Sequence, residues 1–398
     1  MGVVKISIYN LRTVRYIEPW FIVCNGKDEM RVKSDLCAVG AEFRLYGEFV
    51  IGVPFGTGHI NDTYAVTYDQ GGTFNRYIFQ RVNTRVFRNP EALMENFVRV
   101  TSHIAGKIRR ERAADPRCRR RTLEVVPSRS GDPFWRDPEG NFWRCYVFVE
   151  NARTYDVLET PELAFAAASA FGGFQADLAD LKERLHETIP DFHNTPARLA
   201  RLEEVVRLDP CGRLREVGPE LEFILARRDD CSALLRLRDA GELRELVTHN
   251  DTKLNNVLID DLTGAGCCVI DLDTVMPGLP HYDFGDMVRT GTSPAAEDET
   301  DLDKVVMRFP MYEALLRGYL QGAGSFLSPV EKSWLPFSGK LITLEIGIRF
   351  LTDYLEGDVY FKVRRPGHNL DRCRTQLKLV ASIESQFDAM RRLADTLR

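Results

Sequence analysis

A chain of 398 residues in which 44% of the side chains are hydrophobic can build more than one core, so two lobes sharing a cleft are expected. No apolar run reaches the roughly 18 residues that a membrane span needs, and a net charge of −5 argues against a nucleic-acid partner. Nine scattered cysteines without a C-x2-C pair argue against a zinc site or a disulfide framework and fit a reducing cytoplasm.

The first 35 residues contain short β-like runs around Val3 and Trp20, with no basic region leading into an apolar signal core. They read as a peripheral extension of uncertain role, ahead of lobes at 36–150 and 151–398. From Phe49 a strand runs into Gly56, Thr57 and Gly58, and a second leaves at Thr63, which places the glycines at a hairpin tip. Glycine there lets backbone N–H groups approach a phosphate, and it equally suits any tight turn. No Gly-Lys-Ser/Thr follows, so this is not a Walker A loop. Residues 76–82 form the next strand, whose alternation leaves open whether Gln80 or Arg81 faces the cleft. Asn89 and Pro90 supply the cap and first position of a helix that carries Glu95. The basic run at 107–121 reads as a solvated loop, and the strand at 142–149 leads to Glu150, where the lobes should meet. Helices are expected over 161–185, 196–208, 219–240, 337–355 and from about 370 to the end. His186 and His193 flank a Pro-containing segment and read as structural rather than metal-binding.

The chemistry gathers between residues 247 and 273. Two short apolar strands flank the turn 262–266, and polar side chains collect at their mouths: His249, Asp251 and Asn256 in the spacing H-x-D-x4-N, then Asp271 and Asp273. Transfer of a phosphoryl group requires a carboxylate to orient a hydroxyl and take its proton, and hard oxygen ligands to hold magnesium on the phosphates. Asp251 suits the first task, Asn256 and Asp271 the second; His249 reads as a buried support for the loop. Asp283 and Asp286 read as caps or clamps for the loop beyond, and Ser328 to Glu331 as a capping box.

This arrangement resembles the catalytic segments of kinase-fold phosphotransferases, whose protein-kinase branch reads H-R-D-x4-N and then D-F-G. The small-molecule branch, which includes aminoglycoside and choline kinases, is the closer likeness. Further segments, among them Gly58-His-Ile-Asn61, Ala170-Phe-Gly-Gly-Phe-Gln175, Val269-Ile-Asp-Leu-Asp-Thr-Val-Met-Pro-Gly278 and Arg349-Phe-Leu-Thr-Asp-Tyr-Leu-Glu-Gly-Asp-Val-Tyr360, are similar to N-acetylhexosamine 1-kinases from about residue 36 to the end. The resemblance implies an α+β, two-lobed protein kinase-like fold with an antiparallel sheet lobe and a larger, mainly helical lobe. It implies ATP and Mg2+ as cofactors, phosphorylation of the anomeric hydroxyl of N-acetylglucosamine or N-acetylgalactosamine, and sugar contacts from His59, Arg349 and Tyr360. The lysine that a kinase carries on its third strand is absent, so Gln80 or Arg81 stands in for it, and Glu95 either pairs with Arg81 or is a solvated surface residue. For Arg349 the competing expectation is an ion pair with Glu345, four residues earlier on one helix. The alternatives for the whole chain are a kinase of another small alcohol, of the aminoglycoside, choline or homoserine type, and a nucleotide-binding pseudokinase module.

Overall fold

The computed structural model describes residues 36–56, 60–111 and 121–397. The expectations placed on residues 1–35, on Thr57, Gly58 and His59, and on the centre of the basic run lie outside them. A helical turn at 36–41 precedes an antiparallel sheet made by β1 (Glu48–Pro54), β2 (Asp62–Asp69), β3 (Phe74–Val82), β4 (Val125–Val126), β5 (Trp135–Arg136) and β6 (Phe142–Val147). The order is β1-β2-β3-β6-β4, with β5 also on β6. One face buries Val66, Phe79, Trp143 and Cys145 against Leu36, Val39 and Phe43. Strand alternation sends Ile78, Gln80 and Val82 to the other face. That side is crossed by α1 (Pro90–Glu111), whose Asn89 cap accepts a hydrogen bond from the Ala92 N–H at 3.0 Å.

The sheet is followed by a larger helical part, as the sequence predicts. A short strand, β7 (Ala152–Arg153), joins β9 (Val257–Asp260) and β10 (Gly266–Val269) in a second small sheet, and β8 (Leu246–Thr248) pairs with β11 (Met276–Gly278). Around these lie α2 (Pro161–Leu178), α3 (Thr195–Leu208), α4 (Gly218–Leu225), α5 (Ala233–Asp239), α6 (Pro280–Gly291), α7 (Phe309–Ala323), α8 (Pro329–Glu356), α9 (His368–Ser385) and α10 (Phe387–Thr396). Two expectations are corrected. The helix foreseen over 219–240 is two helices separated by a 3-10 turn at Arg228–Ser232, and the terminal helix is interrupted at Gln386; Asp283 and Asp286 lie on α6.

The α2–α7 crossing fixes the centre of the helical part. A methyl group on Gly172 would fall 2.5 Å from the Tyr319 carbonyl oxygen, and one on Gly318 would fall 2.3 Å from that of Phe165. The two backbones touch directly, which only glycine permits. The resulting core runs through Phe171, Phe284, Leu315 and Tyr319 up to Val257 and Leu272, so the β9–β10 hairpin is built on packed helices.

Candidate active site

The loop after β8 is held by buried charge and polar groups. Asp283, fully buried on α6, accepts the His249 N–H at 2.9 Å and the Asn250 N–H at 2.7 Å, and its backbone carbonyl accepts the Thr252 hydroxyl at 2.6 Å. Asp283 is a clamp, but of the loop that carries Asp251 and not of the one beyond Asp271 that the sequence suggested for it. The His249 ring donates through Nε2 to the Ile270 carbonyl at 2.9 Å and accepts the Asp251 N–H through Nδ1 at 3.3 Å, which makes it the expected support. Asn250 sits at φ 65, and Asp271 at φ 56, a left-handed conformation that side chains other than glycine adopt at a cost of about 1–3 kcal/mol. Both strained residues lie at the strand mouths.

Asp251 and Asn256 are together. The Asn256 amide donates to the Asp251 carbonyl at 2.8 Å and to its carboxylate at 3.3 Å, leaving the Asn256 side-chain oxygen free to face a cation. The backbone of Asn256 takes the Ile270 N–H at 2.9 Å, which sets Asp271 beside it. Lys253, which the spacing did not single out, places its ammonium 2.8 Å from Asp251. Burial works to raise the Asp251 carboxyl, but the charge and hydrogen bond of Lys253, together with the positive charge of Arg289, outweigh it and hold it below the usual carboxylate range. Asp271 behaves oppositely: burial, then the charges of Asp273 and Asp251, push it up to about 6. The residue keeps an exposed edge, so it is the protein packed around the carboxylate and not full enclosure that raises its pKa, and the carboxylate makes no hydrogen bond or ion pair among the described residues.

A cation at Asp271 would relieve that repulsion. Among the described residues no group of three His, Cys, Asp or Glu side chains is arranged to hold a metal. One carboxylate plus one amide oxygen, completed by water and phosphates, is the donor set that magnesium takes in phosphotransfer sites, so the residues fit it.

On the strands, register decides between Gln80 and Arg81. Gln80 stands opposite Thr63 on β2 and Arg144 on β6, and is buried. Its side-chain oxygen accepts the Arg144 guanidinium at 2.8 Å through Nε, and its amide donates to Thr63 Oγ1 at 2.9 Å. Arg81 points the other way, exposed and paired with Asp62 at 2.8 Å. Neither residue stands in for the lysine as a free cation in the cleft. The expected Glu95–Arg81 pair is likewise not formed: Glu95 meets His186 Nε2 at 2.7 Å and Arg99 at 3.3 Å on the surface. The buried cation is Arg144, which reads in sequence as one polar position in an otherwise apolar strand. Gly56 lies at φ 82 just beyond β1, in the turn conformation its position predicts.

The expected Glu345–Arg349 ion pair is absent among the described residues. Glu345 accepts from His193 Nδ1 at 2.9 Å and from Thr195 Oγ1 at 2.5 Å, while His193 Nε2 donates to the Asn250 carbonyl at 3.1 Å. Both ring nitrogens face acceptors, so the imidazole carries both protons; burial opposes this and Glu345 outweighs it, raising its pKa. Arg349, one turn on, is half-buried with rings on three sides: Phe361 at 5.5 Å, Phe192 and Tyr360 at 5.7 Å. Tyr360 is exposed on a loop whose backbone is pinned, since Asp353 accepts its N–H at 2.7 Å and that of Phe361 at 3.0 Å. A separate cavity of about 630 Å³ between α1 and β4, lined by Thr101, Ile108 and Leu123, contains none of these side chains.

The phosphotransferase enzyme family, APH, matches residues 52–326, a stretch that takes in the sheet, the hairpin, Asp251, Asn256 and Asp271. The chain belongs to that family. It is a phosphotransferase, and solved structures share its fold. An aminoglycoside phosphotransferase from Alicyclobacillus acidocaldarius aligns over 90% of this chain and 96% of its own at 12% identity, with a TM-score of 0.55. A microcompartment-associated aminopropanol kinase aligns over 90% and 98% at 15% identity, TM-score 0.53. A choline/ethanolamine kinase family protein from Mesorhizobium loti aligns over 90% and 99% at 15% identity, TM-score 0.51. At these identities what is shared is the two-part architecture, consistent with the fold expected from the sequence. No helix among the described residues is long and apolar enough to cross a membrane.

Proposed function

We propose that this phosphotransferase moves the γ-phosphoryl group of ATP to a hydroxyl of a neutral sugar, with an N-acetylhexosamine becoming its 1-phosphate. In this reading residues 36–150 bind the nucleotide, through Gly56 and the adjoining hairpin tip, and the remainder holds catalyst and acceptor. Asp251 orients the acceptor hydroxyl and takes its proton as the oxygen bonds to phosphorus and ADP departs with the electrons of the broken P–O bond. Lys253 keeps Asp251 ionised for that task, at 2.8 Å. Asp271 and the Asn256 oxygen hold magnesium, which when bound neutralises phosphate charge.

The observation that carries the choice of acceptor is Arg349: a half-buried guanidinium in no ion pair among the described residues, beside the pinned, exposed Tyr360. It repels a cationic acceptor such as choline or an aminoglycoside, and its donors with the flanking rings suit sugar oxygens and a sugar face. ATP consumption against N-acetylhexosamines, plain hexoses, aminoglycosides, choline and homoserine tests this. Turnover with the N-acetylhexosamines is expected; turnover confined to a cationic acceptor would overturn the sugar reading, and none with any acceptor would favour a pseudokinase. Asp251→Asn should retain ATP binding and lose about 100-fold or more in kcat.

A further inference from the structure

We infer that Asp273 is a latch between the sheet and the catalytic hairpin, and that Asn61 and Arg144 are positioning residues for nucleotide binding; this rests on the ATP reading above. Asp273 is buried, 2% exposed, although it lies two residues from the open Asp271. Both of its carboxylate oxygens are occupied by residues of the sheet. Arg144 Nη1 donates to one at 2.5 Å and Asn61 Nδ2 to the other at 2.6 Å. With one donor on each oxygen and almost no exposure, the carboxylate is turned to the sheet.

Each partner is itself fixed. The Asn61 oxygen accepts the Asn83 N–H at 2.9 Å, which determines the amide's orientation and ties it to the end of β3. Arg144 is gripped by Gln80 and lies over the Phe97 ring of α1 at 4.6 Å. On the hairpin side Thr188 donates to the Asp273 backbone carbonyl at 2.9 Å, within the 3-10 turn Leu272–Thr274 that Asp271 opens. Any shift of Asp273 therefore turns the Asp271 carboxylate. Asn61 immediately precedes β2, so the latch holds the start of that strand and the Asp271 carboxylate at one spacing. It takes the place of the strand-to-helix ion pair that Arg81 and Glu95 do not make. Charge-assisted bonds of this kind, shielded from water, are about twice as strong as neutral ones.

The test compares Asn61→Ala and Asp273→Asn with the wild-type protein in steady-state assays varying ATP, Mg2+ and acceptor separately, with Tm as a control for folding. Asn61 is a loop residue, and its alanine variant should fold. Its KM for ATP should rise about tenfold, and the Mg2+ needed for half activity should rise with it, while the acceptor KM stays within about twofold. Asp273→Asn, which loses the charge but keeps the shape, should shift the same two parameters. A folded Asn61→Ala with wild-type ATP and Mg2+ dependence overturns the latch. So does loss of Mg2+-dependent turnover in Asp273→Asn alone, the result expected of a metal ligand. A wild-type chain that binds no ATP by calorimetry would instead remove the functional reading itself.

Discussion

Arg349 shows how one side chain's surroundings decide its role. A pair with Glu345 on the helix surface would have been worth about 0.3–0.5 kcal/mol, its removal barely registering, but Glu345 is fully buried. Glu345 is taken by His193 and Thr195, so the guanidinium stands among Phe192, Tyr360 and Phe361 without that pair. Arg349→Ala should raise the acceptor KM by about tenfold, about 1.4 kcal/mol if KM follows affinity, with ATP parameters unchanged in the same assay. An unchanged acceptor KM would move recognition elsewhere. The residues with a fixed spacing, Asp251, Asn256 and Asp271, were legible because the chemistry demands that spacing. Arg144 and Asn61 were not. Each acts on Asp273 across 129 or 212 residues, and no local pattern announces a bond of that separation. The choice between Gln80 and Arg81 needed the register with β6, which the strand's own alternation does not contain.

At the level of elements, chain ends and caps were readable and interruptions were not. The Ser328–Glu331 capping box forms as written, with the Ser328 hydroxyl accepting the Glu331 N–H at 3.1 Å and Glu331 accepting the Ser328 N–H at 2.7 Å. The sequence did not show that Glu331 also accepts Arg244 Nη2 at 2.6 Å. Burial acts to raise this carboxyl, and Arg244 with the capping N–H groups more than reverses it, to about 2 from an ordinary 4.5. Because the folded value is the lower one, the stabilisation is complete above pH about 4.5 and drains away as pH falls toward about 2. Glu331→Gln should lower stability at neutral pH by roughly 2–3 kcal/mol and flatten the acid limb of Tm against pH in that window. An unaltered acid limb would refute the assignment. The break between α4 and α5 was hidden because Arg228–Ser232 contains neither glycine nor proline, the usual signs of a stop.

For the molecule as a whole, the α2–α7 contact is the packing on which the hairpin rests. Neighbouring glycines there should respond with opposite signs. A methyl group at Gly172 would fall 2.9 Å from the Ala323 backbone nitrogen as well as against Tyr319, whereas at Gly173 it meets nothing within 4 Å. Gly172→Ala should lose at least about 1–3 kcal/mol through overpacking, and Gly173→Ala should gain about 0.5–1 kcal/mol from helix propensity, both read by urea denaturation. Equal effects would mean the helices have room to part. The two-part architecture was expected from the length of the chain and from its resemblance to kinase-fold phosphotransferases, but the direct backbone contact was not, since a helix-interior glycine looks the same whether crowded or free.

The clamp on the catalytic loop has one more consequence. The amide protons of His249 and Asn250 point into a fully buried carboxylate on α6, with no path to water while that helix stays in place. They can trade hydrogen for deuterium only when Asp283 withdraws, so their exchange rate is an internal clock for opening of the loop, one that runs whether or not any substrate is known.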